Sequence, residues 1–295
     1  MLCNHIGDIR VDRIIEQEFP MFDPAEFLPD LTKDMIDPHR SWFEPNCLDP
    51  VSGLMTFCMQ SYVIRTGKHN ILVDTCIGNH KNHPARPPWH QKTDSTYMDA
   101  LNKAGLTVAD IDFVMCTHLH PDHVGWNTQL ENGEWVPTFP NARHVYVDVE
   151  LDWASTEERR QGQDPYAESI APIVDAGLSW QVGPDAELGD GLRLISTPGH
   201  TPGHVSVEVE TGADLLVVTG DLLHHQFQLA RPDVAEVADI DPALAVRTRT
   251  DFFSEQARAA NVIAGTHFGV APVGRIESHR NAWRWTPTPG APVGG

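Results

Sequence analysis

Hydrophobic positions recur along the chain in short segments separated by glycine, proline and polar turns, which predicts many strands and a few helices. Residues 55–65 form the longest of the predicted strands, and a Gly-containing turn leads from them into a partner strand. Gly105 ends the first predicted helix. The predicted strands are residues 55–65, 71–74, 111–116, 143–147, 192–196, 204–210, 215–219 and 261–264. The predicted helices are residues 93–104, 149–160, 165–176 and 242–260.

Strands are followed by helices in both halves of the chain, and no linker-like composition separates the halves. This order predicts an α/β fold with two packed sheets and outer helices, in a single domain over residues 51–295. Residues 1–50 differ, because six prolines from Pro20 to Pro50 prevent a long helix after a first strand near residues 9–15. We expect an irregular N-terminal segment that packs over the core or serves as a pocket lid or dimer arm.

Charge and composition exclude several classes of function. The net charge is −20, from 21 Lys and Arg against 41 Asp and Glu, and the basic residues form no cluster of the kind that binds nucleic acid or an anionic membrane. The apolar runs are too short to span a bilayer, and the first twenty residues lack a signal-peptide pattern. Five scattered cysteines favour reduced thiols. The composition predicts a cytoplasmic globular protein.

The strongest chemical signal is the run THLHPDH at residues 117–123, which directly follows a predicted buried strand. Pro121 restricts the backbone, so the polar side chains around it converge at a small entropic cost. Neutral imidazole and carboxylate groups are ligands for zinc, iron or manganese rather than for calcium or magnesium. The run predicts a transition-metal site with the candidate ligands His118, His120, Asp122 and His123.

Three further candidate ligands, His200, Asp221 and His267, each follow the C-terminal end of a predicted strand. Each is a weak signal alone, since a single polar residue at this position is usually a cap or part of a turn. Loops at strand ends, however, often converge on one functional site. Together with the run, these residues supply five histidines and two aspartates, enough for two metal ions.

These motifs, in this order over roughly residues 50–280, resemble those of the metallo-β-lactamase superfamily. The resemblance implies a four-layered αβ/βα sandwich with two mixed β-sheets, outer helices and a metal site at one edge of the sheets. It implies two divalent metal ions, with zinc as the first choice and manganese, iron and cobalt as alternatives. The implied ligands of the first ion are His118, His120 and His200. Those of the second are Asp122, His123 and His267, and Asp221 bridges both ions.

Variations within the superfamily indicate which of its branches the chain resembles. Class B β-lactamases lack a bridging aspartate like Asp221, and flavo-diiron proteins carry Glu at the place of His120. Glyoxalase II enzymes add a C-terminal helical domain, whereas about 28 residues follow His267 here. RNA-processing members generally have basic surfaces, and this chain is acidic. The chain therefore looks most similar to the lactonase and organophosphate-hydrolase-like branch.

The resemblance implies a dinuclear hydrolase that opens a small, largely apolar lactone or carboxylic ester. Two cations about 3.5 Å apart lower the pKa of a bridging water and so supply hydroxide at neutral pH. The candidate catalytic residues are Asp122, Asp221 and His224, and Asp221 is expected to relay a proton to the leaving group. Lactonases of the family have a Tyr three residues after the bridging Asp. His224 stands at that place, as a contact to the substrate oxygen or as an ordinary loop residue.

Two alternative activities stay open. A phosphotriesterase-like hydrolase would use the same hydroxide, and a mononuclear-iron sulfur dioxygenase would use one iron held by two His and an Asp. In every case the expected partner is a small-molecule substrate, without nucleic acid or membrane, and a homodimer is one option for assembly.

Four neighbours of the ligand motifs carry separate expectations. His204 is expected to support the loop of His200 rather than to bind metal. Cys76 is expected to be structural, because no base partner for a nucleophilic thiol is apparent. Trp126 and Phe268 directly follow ligand motifs and are expected to form apolar walls of the pocket.

Overall fold

The structure is a computed structural model that describes residues 3–156, 163–212 and 214–288. The chain divides into two compact units. The first comprises Met1–Gln17 and Met59–Pro184, and the second comprises Glu18–Cys58 and Asp185–Gly295. One seven-stranded sheet belongs mainly to the first unit, and another belongs to the second unit.

The strands account for most of the regular structure. Within the described residues the chain forms β1 (Cys3–Ile6), β2 (Ile9–Phe22), β3 (Met55–Arg65), β4 (Asn70–Val73), β5 (Phe113–Met115), β6 (Thr128–Glu131), β7 (Glu134–Pro137), β8 (Arg143–Val147), β9 (Ser179–Val182), β10 (Glu187–Gly189), β11 (Leu192–Ser196), β12 (Val205–Glu210), β13 (Leu215–Val218), β14 (Val262–Ala264), β15 (Val273–His279) and β16 (Ala282–Pro287).

The helices are mostly short. Within the described residues they are α1 (Pro24–Phe27), α2 (Lys33–Ile36), α3 (Arg40–Phe43), α4 (Thr96–Lys103), α5 (Pro121–Val124), α6 (Asp148–Thr156), α7 (Ala171–Asp175), α8 (Phe227–Ala230) and α9 (Pro242–Ala259). The helix α9 begins at Asp241, whose carboxylate accepts from the Leu244 amide, and ends at Ala260 in the left-handed conformation. No helix among the described residues is long and apolar enough to cross a membrane.

The first sheet has the strand order β1-β2-β3-β4-β5-β8-β9 and is mixed. Its last four strands, β4, β5, β8 and β9, are parallel to one another, whereas β4 is antiparallel to β3. Their apolar residues are buried, as at Leu72 and Val114, which is typical of parallel strands that are covered on both faces. Because β4 and β5 run in the same direction, their C-terminal ends lie at one edge of the sheet. That edge carries Asp74 and the run at residues 117–123.

The second sheet has the order β10-β11-β12-β13-β14-β15-β16 and is also mixed. The strand β12 is antiparallel to both β11 and β13, and β13 is parallel to β14. The strands β11, β13 and β14 therefore all run in the same direction. Their C-terminal ends lie at one edge of this sheet, and the residues that follow them include His200, Asp221 and His267.

The hydrophobic pattern predicts the central strands closely. The predicted strands at 55–65, 143–147 and 192–196 agree with β3, β8 and β11 to the residue, and α9 is one residue shorter than predicted. The predicted helix at 149–160 is observed over Asp148–Thr156, and residues 157–160 lie outside the described residues. The sequence pattern missed β15 and β16, because charged residues interrupt β15, most residues of β16 are half-buried, and the two strands depend on pairing with each other.

The N-terminal segment is more regular than predicted. The strand β2 covers 14 residues, rather than ending near residue 15, and α1, α2 and α3 follow it. The strand continues through Pro20 because β1 pairs only with residues 9–12 of β2, so Pro20 interrupts no hydrogen bond on that side. A boundary near residue 50, between an N-terminal segment and a catalytic domain, stays a prediction.

Candidate functional site

Four of the seven predicted metal ligands lie in the first unit: His118 and His120 on the loop between β5 and α5, and Asp122 and His123 in α5. Pro121 begins α5, and the extended backbone of His120 precedes it. His118 and His123 are buried, and their ring centroids lie 4.1 Å apart; the rings of His118 and His120 are 4.7 Å apart. Asp122 Oδ2 lies 3.8 Å from His123 Nε2. The structure thus brings these four side chains together, as the spacing of the run predicts.

Asp74 holds this loop in place. It follows β4, is buried and has a φ of 58°, and its carboxylate accepts from the backbone amide of Thr117 at 2.8 Å. The same carboxylate accepts from Nδ1 of His123 at 2.9 Å. Because Nδ1 carries the proton, Nε2 of His123 keeps its lone pair for a metal ion. Sequence analysis did not select Asp74, although an aspartate directly after a buried strand is a usable signal.

A glycine directly after the ligand loop is required by a close approach of two backbone segments. A Cβ at Gly125 would lie 1.9 Å from the carbonyl oxygen of Ile77. The Gly125 amide donates to the carbonyl of Cys76 at 2.7 Å, and the Trp126 amide donates to Thr75 at 2.9 Å. These contacts fix the end of α5 against the segment that follows Asp74.

The other three predicted ligands lie in the second unit, around Asp221. This residue occupies a single helical turn, Gly220–Leu222, directly after β13. Its Oδ1 lies 3.0 Å from Nε2 of His267, and its Oδ2 lies 3.4 Å from Nε2 of His200. All three side chains are buried. The structure therefore places His200, Asp221 and His267 together, with the carboxylate between the two imidazoles.

His204 supports Asp221, in agreement with the expectation. The backbone amide of Asp221 donates to Nε2 of His204 at 2.9 Å. That nitrogen must therefore be unprotonated, so Nδ1 carries the proton and donates to the Thr197 carbonyl at 3.1 Å. His204 links the loop after β11 to the turn of Asp221, and both of its ring nitrogens have protein partners.

His224 also contacts Asp221. Its Nε2 donates to Oδ2 of Asp221 at 3.0 Å, and its ring stacks parallel to the ring of His267 at 5.5 Å. Its backbone amide donates to Gln228 at 2.9 Å, and its edge meets the ring of Phe27 at 5.4 Å. The side chain is buried. His224 is therefore not an ordinary loop residue, because the structure places its imidazole within the cluster around Asp221.

Two carboxylates that sequence analysis missed contact His200. Glu236 Oε1 lies 2.8 Å and Asp239 Oδ1 lies 3.1 Å from its Nδ1, and both carboxylates are fully buried. Burial lowers the pKa of His200, but the hydrogen bonds that its Nδ1 donates to Asp239 and Glu236 outweigh burial and raise that pKa to about 10. Both acidic residues lie on an irregular stretch between α8 and α9 that has no metal-ligand spacing, so the sequence offered no signal.

The donors around Asp221 fit a cation. Nδ1 of His267 donates to the Cys58 carbonyl at 3.1 Å, so a neutral His267 has no second proton for Asp221 Oδ1. His200 likewise has carboxylate oxygens at both of its nitrogens. A neutral imidazole carries one N–H, so these contacts require either extra protons or positive charge next to Asp221. Imidazole and carboxylate donors of this kind suit a transition-metal ion.

The two predicted pocket walls, Trp126 and Phe268, both lie in hydrophobic cores. Trp126 is buried in the core of the first unit, where its ring stacks on Tyr97 at 5.3 Å and its Nε1 donates to Glu16 at 2.7 Å. Phe268 is buried in the core of the second unit against Trp285. Both rings complete a hydrophobic core, which is the usual place of a large buried ring, and their role as walls of a substrate pocket stays a prediction. Cys76 is buried, with its Sγ 3.4 Å from the hydroxyl oxygen of Ser61, as expected for a structural cysteine.

The sequence matches the family model of the Metallo-beta-lactamase superfamily over residues 60–267. The chain is 32% identical over 120 residues to the N-acyl homoserine lactonase AttM of Agrobacterium fabrum. The matched region covers 38% of this chain and 41% of that protein. The chain is 28% identical over 152 residues to the N-acyl homoserine lactonase AiiA of Bacillus thuringiensis, covering 50% and 52%. The chain therefore spans about half the length, or less, of these curated relatives.

Solved structures share the fold over nearly the whole chain. The hydrolase AbOPH of the beta lactamase superfamily superposes with a TM-score of 0.79 at 25% identity, covering 97% of this chain and 96% of that chain. AidC, a dizinc quorum-quenching lactonase solved with a bound product, superposes with a TM-score of 0.81 at 18% identity, covering 97% of both chains. The second likeness concerns the fold alone.

Proposed function

The chain belongs to the metallo-beta-lactamase superfamily and has its α/β fold, and on that premise we propose that it is a metal-dependent hydrolase that opens small, largely apolar lactones or carboxylic esters. The observation that carries the proposal is the buried carboxylate of Asp221, held between imidazoles that already have acceptors at their other nitrogens. The lactonase relatives favour a lactone among the substrates of this class.

The proposed metal ligands are those that the superfamily pattern implies. His118, His120 and His200 would hold one divalent ion, His123, Asp122 and His267 would hold the other, and Asp221 would contact both. The donor types suit zinc, with manganese, iron and cobalt as alternatives. Ions bound there would supply a polarised substrate oxygen and a water acidic enough to give hydroxide at neutral pH.

Three side chains have proposed roles in the reaction. The carboxylates of Asp122 and Asp221 orient the attacking water, and Asp221 passes a proton to the leaving oxygen. His224 has its N–H on Asp221 in this structure, and that donor can turn to the developing negative charge on the substrate oxygen. The short distance between His224 Nε2 and Asp221 supports this assignment, since both groups serve one reaction centre.

The aromatic side chains of the N-terminal segment, together with Phe57 of β3, support an apolar substrate. Phe27 lies against His224, and Phe57 lies 5.6 Å from the ring of His267. Phe22 contacts both phenylalanines at 4.9 Å. This cluster places apolar surface directly beside two site histidines within the second unit. We propose that residues 20–50 form part of the substrate-binding wall.

Metal analysis combined with a hydrolysis screen tests the proposal. We expect about two transition-metal ions per chain and turnover of lactones or aryl esters that chelation abolishes. Turnover of phosphotriesters alone would transfer the assignment to a phosphotriesterase-like enzyme. A single iron per chain with oxygen-dependent oxidation of sulfur substrates would replace hydrolysis by the dioxygenase reaction.

A further inference from the structure

The Nδ1 atom of His200 contacts two carboxylates, those of Glu236 and Asp239. We propose that residues 236–239 form a paired-carboxylate clamp that positions His200 as a metal ligand and increases the affinity of its Nε2 for a cation. The inference rests on the proposed function, because it explains how His200 is held in position to bind a metal ion. It concerns Glu236 and Asp239, which act through His200 and are therefore positioning residues.

Each carboxylate of the clamp is held at both of its oxygens. Glu236 contacts His200 through Oε1, while its Oε2 accepts from the amide of Ala238 at 2.9 Å. Asp239 contacts His200 through Oδ1, while its Oδ2 accepts from the amide of Glu236 at 3.2 Å. The amide of Asp239 in turn donates to the carbonyl of Glu236 at 3.2 Å. The turn therefore fixes both carboxylates before any metal ion arrives, which lowers the cost of ordering the site.

The clamp is also joined to the backbone of His200. The amide of Ile240 donates to the carbonyl of His200 at 3.0 Å, and the amide of Asp241 donates to Gly199 at 2.9 Å. Gly199 has a φ of 134°, and a Cβ there would lie 2.3 Å from the backbone nitrogen of Ala245 at the start of α9. The ligand loop and the clamp thus form one tightly packed unit, in which the distance from carboxylate to imidazole cannot change freely.

Arg249 balances part of the buried charge. Its guanidinium is buried and donates to the backbone carbonyls of Val234 at 3.0 Å and Leu222 at 3.4 Å. Burial lowers its pKa, and Asp239 and Glu236 act in the opposite direction. One cation near two buried carboxylates leaves a net negative charge behind His200, and a metal ion at Nε2 would neutralise it.

The pair of carboxylates predicts redundancy. Nδ1 of His200 carries one proton, so one carboxylate can accept it when the other has been neutralised. Support of a metal-bound histidine from a neighbouring carboxylate is typically worth about 10-fold to 100-fold in metal affinity. We therefore expect E236Q or D239N alone to weaken binding of one ion by less than about tenfold, and the double variant to weaken it by about 100-fold.

The experiment measures stepwise affinity for zinc by competition with a chromogenic chelator, using the full chain and its E236Q, D239N and double variants. The absorption spectrum of the cobalt-loaded protein reports the geometry at the ion independently of activity. D233N is the matched control, since Asp233 lies in the same stretch and forms an exposed ion pair with Arg231 at 2.6 Å. The expected result is selective loss of one ion in the double variant, with an altered cobalt spectrum and no change in D233N.

Several outcomes would overturn the clamp. They are wild-type affinity for both ions in the double variant, an equal loss in D233N, and a loss in each single variant as large as that in the double variant. A wild-type chain that binds no metal would overturn the proposed function instead. In that case exchange of the His200 Nδ1 proton, followed by NMR, still tests the clamp, which predicts slow exchange in the wild type and fast exchange in the double variant. Equal exchange rates would refute it.

Discussion

Each of the two units brings its own candidate ligands together, and they do so in different ways. In the first unit, four predicted ligands come from the six residues 118–123, and the short helix that Pro121 begins holds them together. In the second unit, His200, Asp221 and His267 come from three separate loops and meet through side-chain contacts. A contiguous loop positions its side chains through its own backbone. Dispersed ligands need partners that join the loops.

The two units also differ in how many carboxylates support a candidate histidine ligand. His123 in the first unit donates to one aspartate, Asp74, which also holds the backbone of the ligand loop. His200 in the second unit contacts both Glu236 and Asp239. The dispersed half therefore depends more heavily on buried charge. Substitutions in the two halves should differ in how they fail.

Replacing Asp221 should produce the largest effect. Asp221 contacts three imidazoles in the second unit, so Asp221→Ala removes the group that joins its loops. We expect loss of at least one metal ion and a decrease in kcat of several orders of magnitude, measured by metal analysis and steady-state kinetics. Asp214→Ala is the control, because Asp214 forms an exposed ion pair with Arg275. Full metal content with near-normal turnover in Asp221→Ala would contradict its central role.

His224→Ala should have the next largest effect. Loss of a donor to a developing oxyanion reduces turnover by about 10²–10³-fold. Both metal ions should remain bound, because His224 is not among the proposed ligands. His224→Gln keeps an N–H donor of similar reach and should recover part of kcat. Loss of metal in His224→Ala would instead make His224 a ligand, and an unchanged rate with every substrate would remove it from the reaction.

Asp74→Asn tests the first unit in the same way that the clamp variants test the second. Asp74 is the carboxylate that holds His123, so its loss should weaken binding of one ion by about 10-fold to 100-fold. This single substitution should therefore cost more than E236Q or D239N alone. Equilibrium titration with zinc compares the three variants directly. A smaller loss of zinc affinity in Asp74→Asn than in E236Q would contradict the expectation that a histidine with one supporting carboxylate is more sensitive than a histidine with two.

The smallest expected effect concerns a buried histidine away from these carboxylates. Burial lowers the pKa of His144 to about 3, so this residue stays neutral in the folded chain, whereas the unfolded chain takes up a proton below about pH 6.5. Stability should therefore fall as the pH drops from about 6.5 towards 3. His144→Leu should reduce the loss of unfolding free energy between pH 7 and pH 5 by about 2 kcal/mol.

Urea unfolding of the metal-free chain at the two pH values measures this difference. The control is His69→Gln, which removes a histidine whose side chain is 37% exposed instead of a buried one. An identical pH dependence in His144→Leu and in the wild type would show that His144 does not resist protonation. It would also weaken the contrast with His200, whose pKa the carboxylates raise.

Much of the site could be predicted from the sequence, because part of its chemistry is local. Four candidate ligands lie within six consecutive residues: His118, His120, Asp122 and His123. Folding of this short segment alone is enough to bring them together. The predicted strands also placed His200, Asp221 and His267 at strand ends. The structure confirms the α/β class with two mixed sheets, since hydrophobic runs followed by helices leave few other arrangements.

Only the tertiary structure decided which groups support these ligands. Asp74 meets His123 across 49 positions of the chain, and Asp239 meets His200 across 39. Contacts at such separations depend on strand order and on the path of loops, which hydrophobic periodicity does not encode. The same reason explains why Trp126 and Phe268 lie in cores although they adjoin ligand motifs. By itself the sequence determined the donor atoms, whereas packing of distant segments decided the protons, charges and neighbours that make those donors effective.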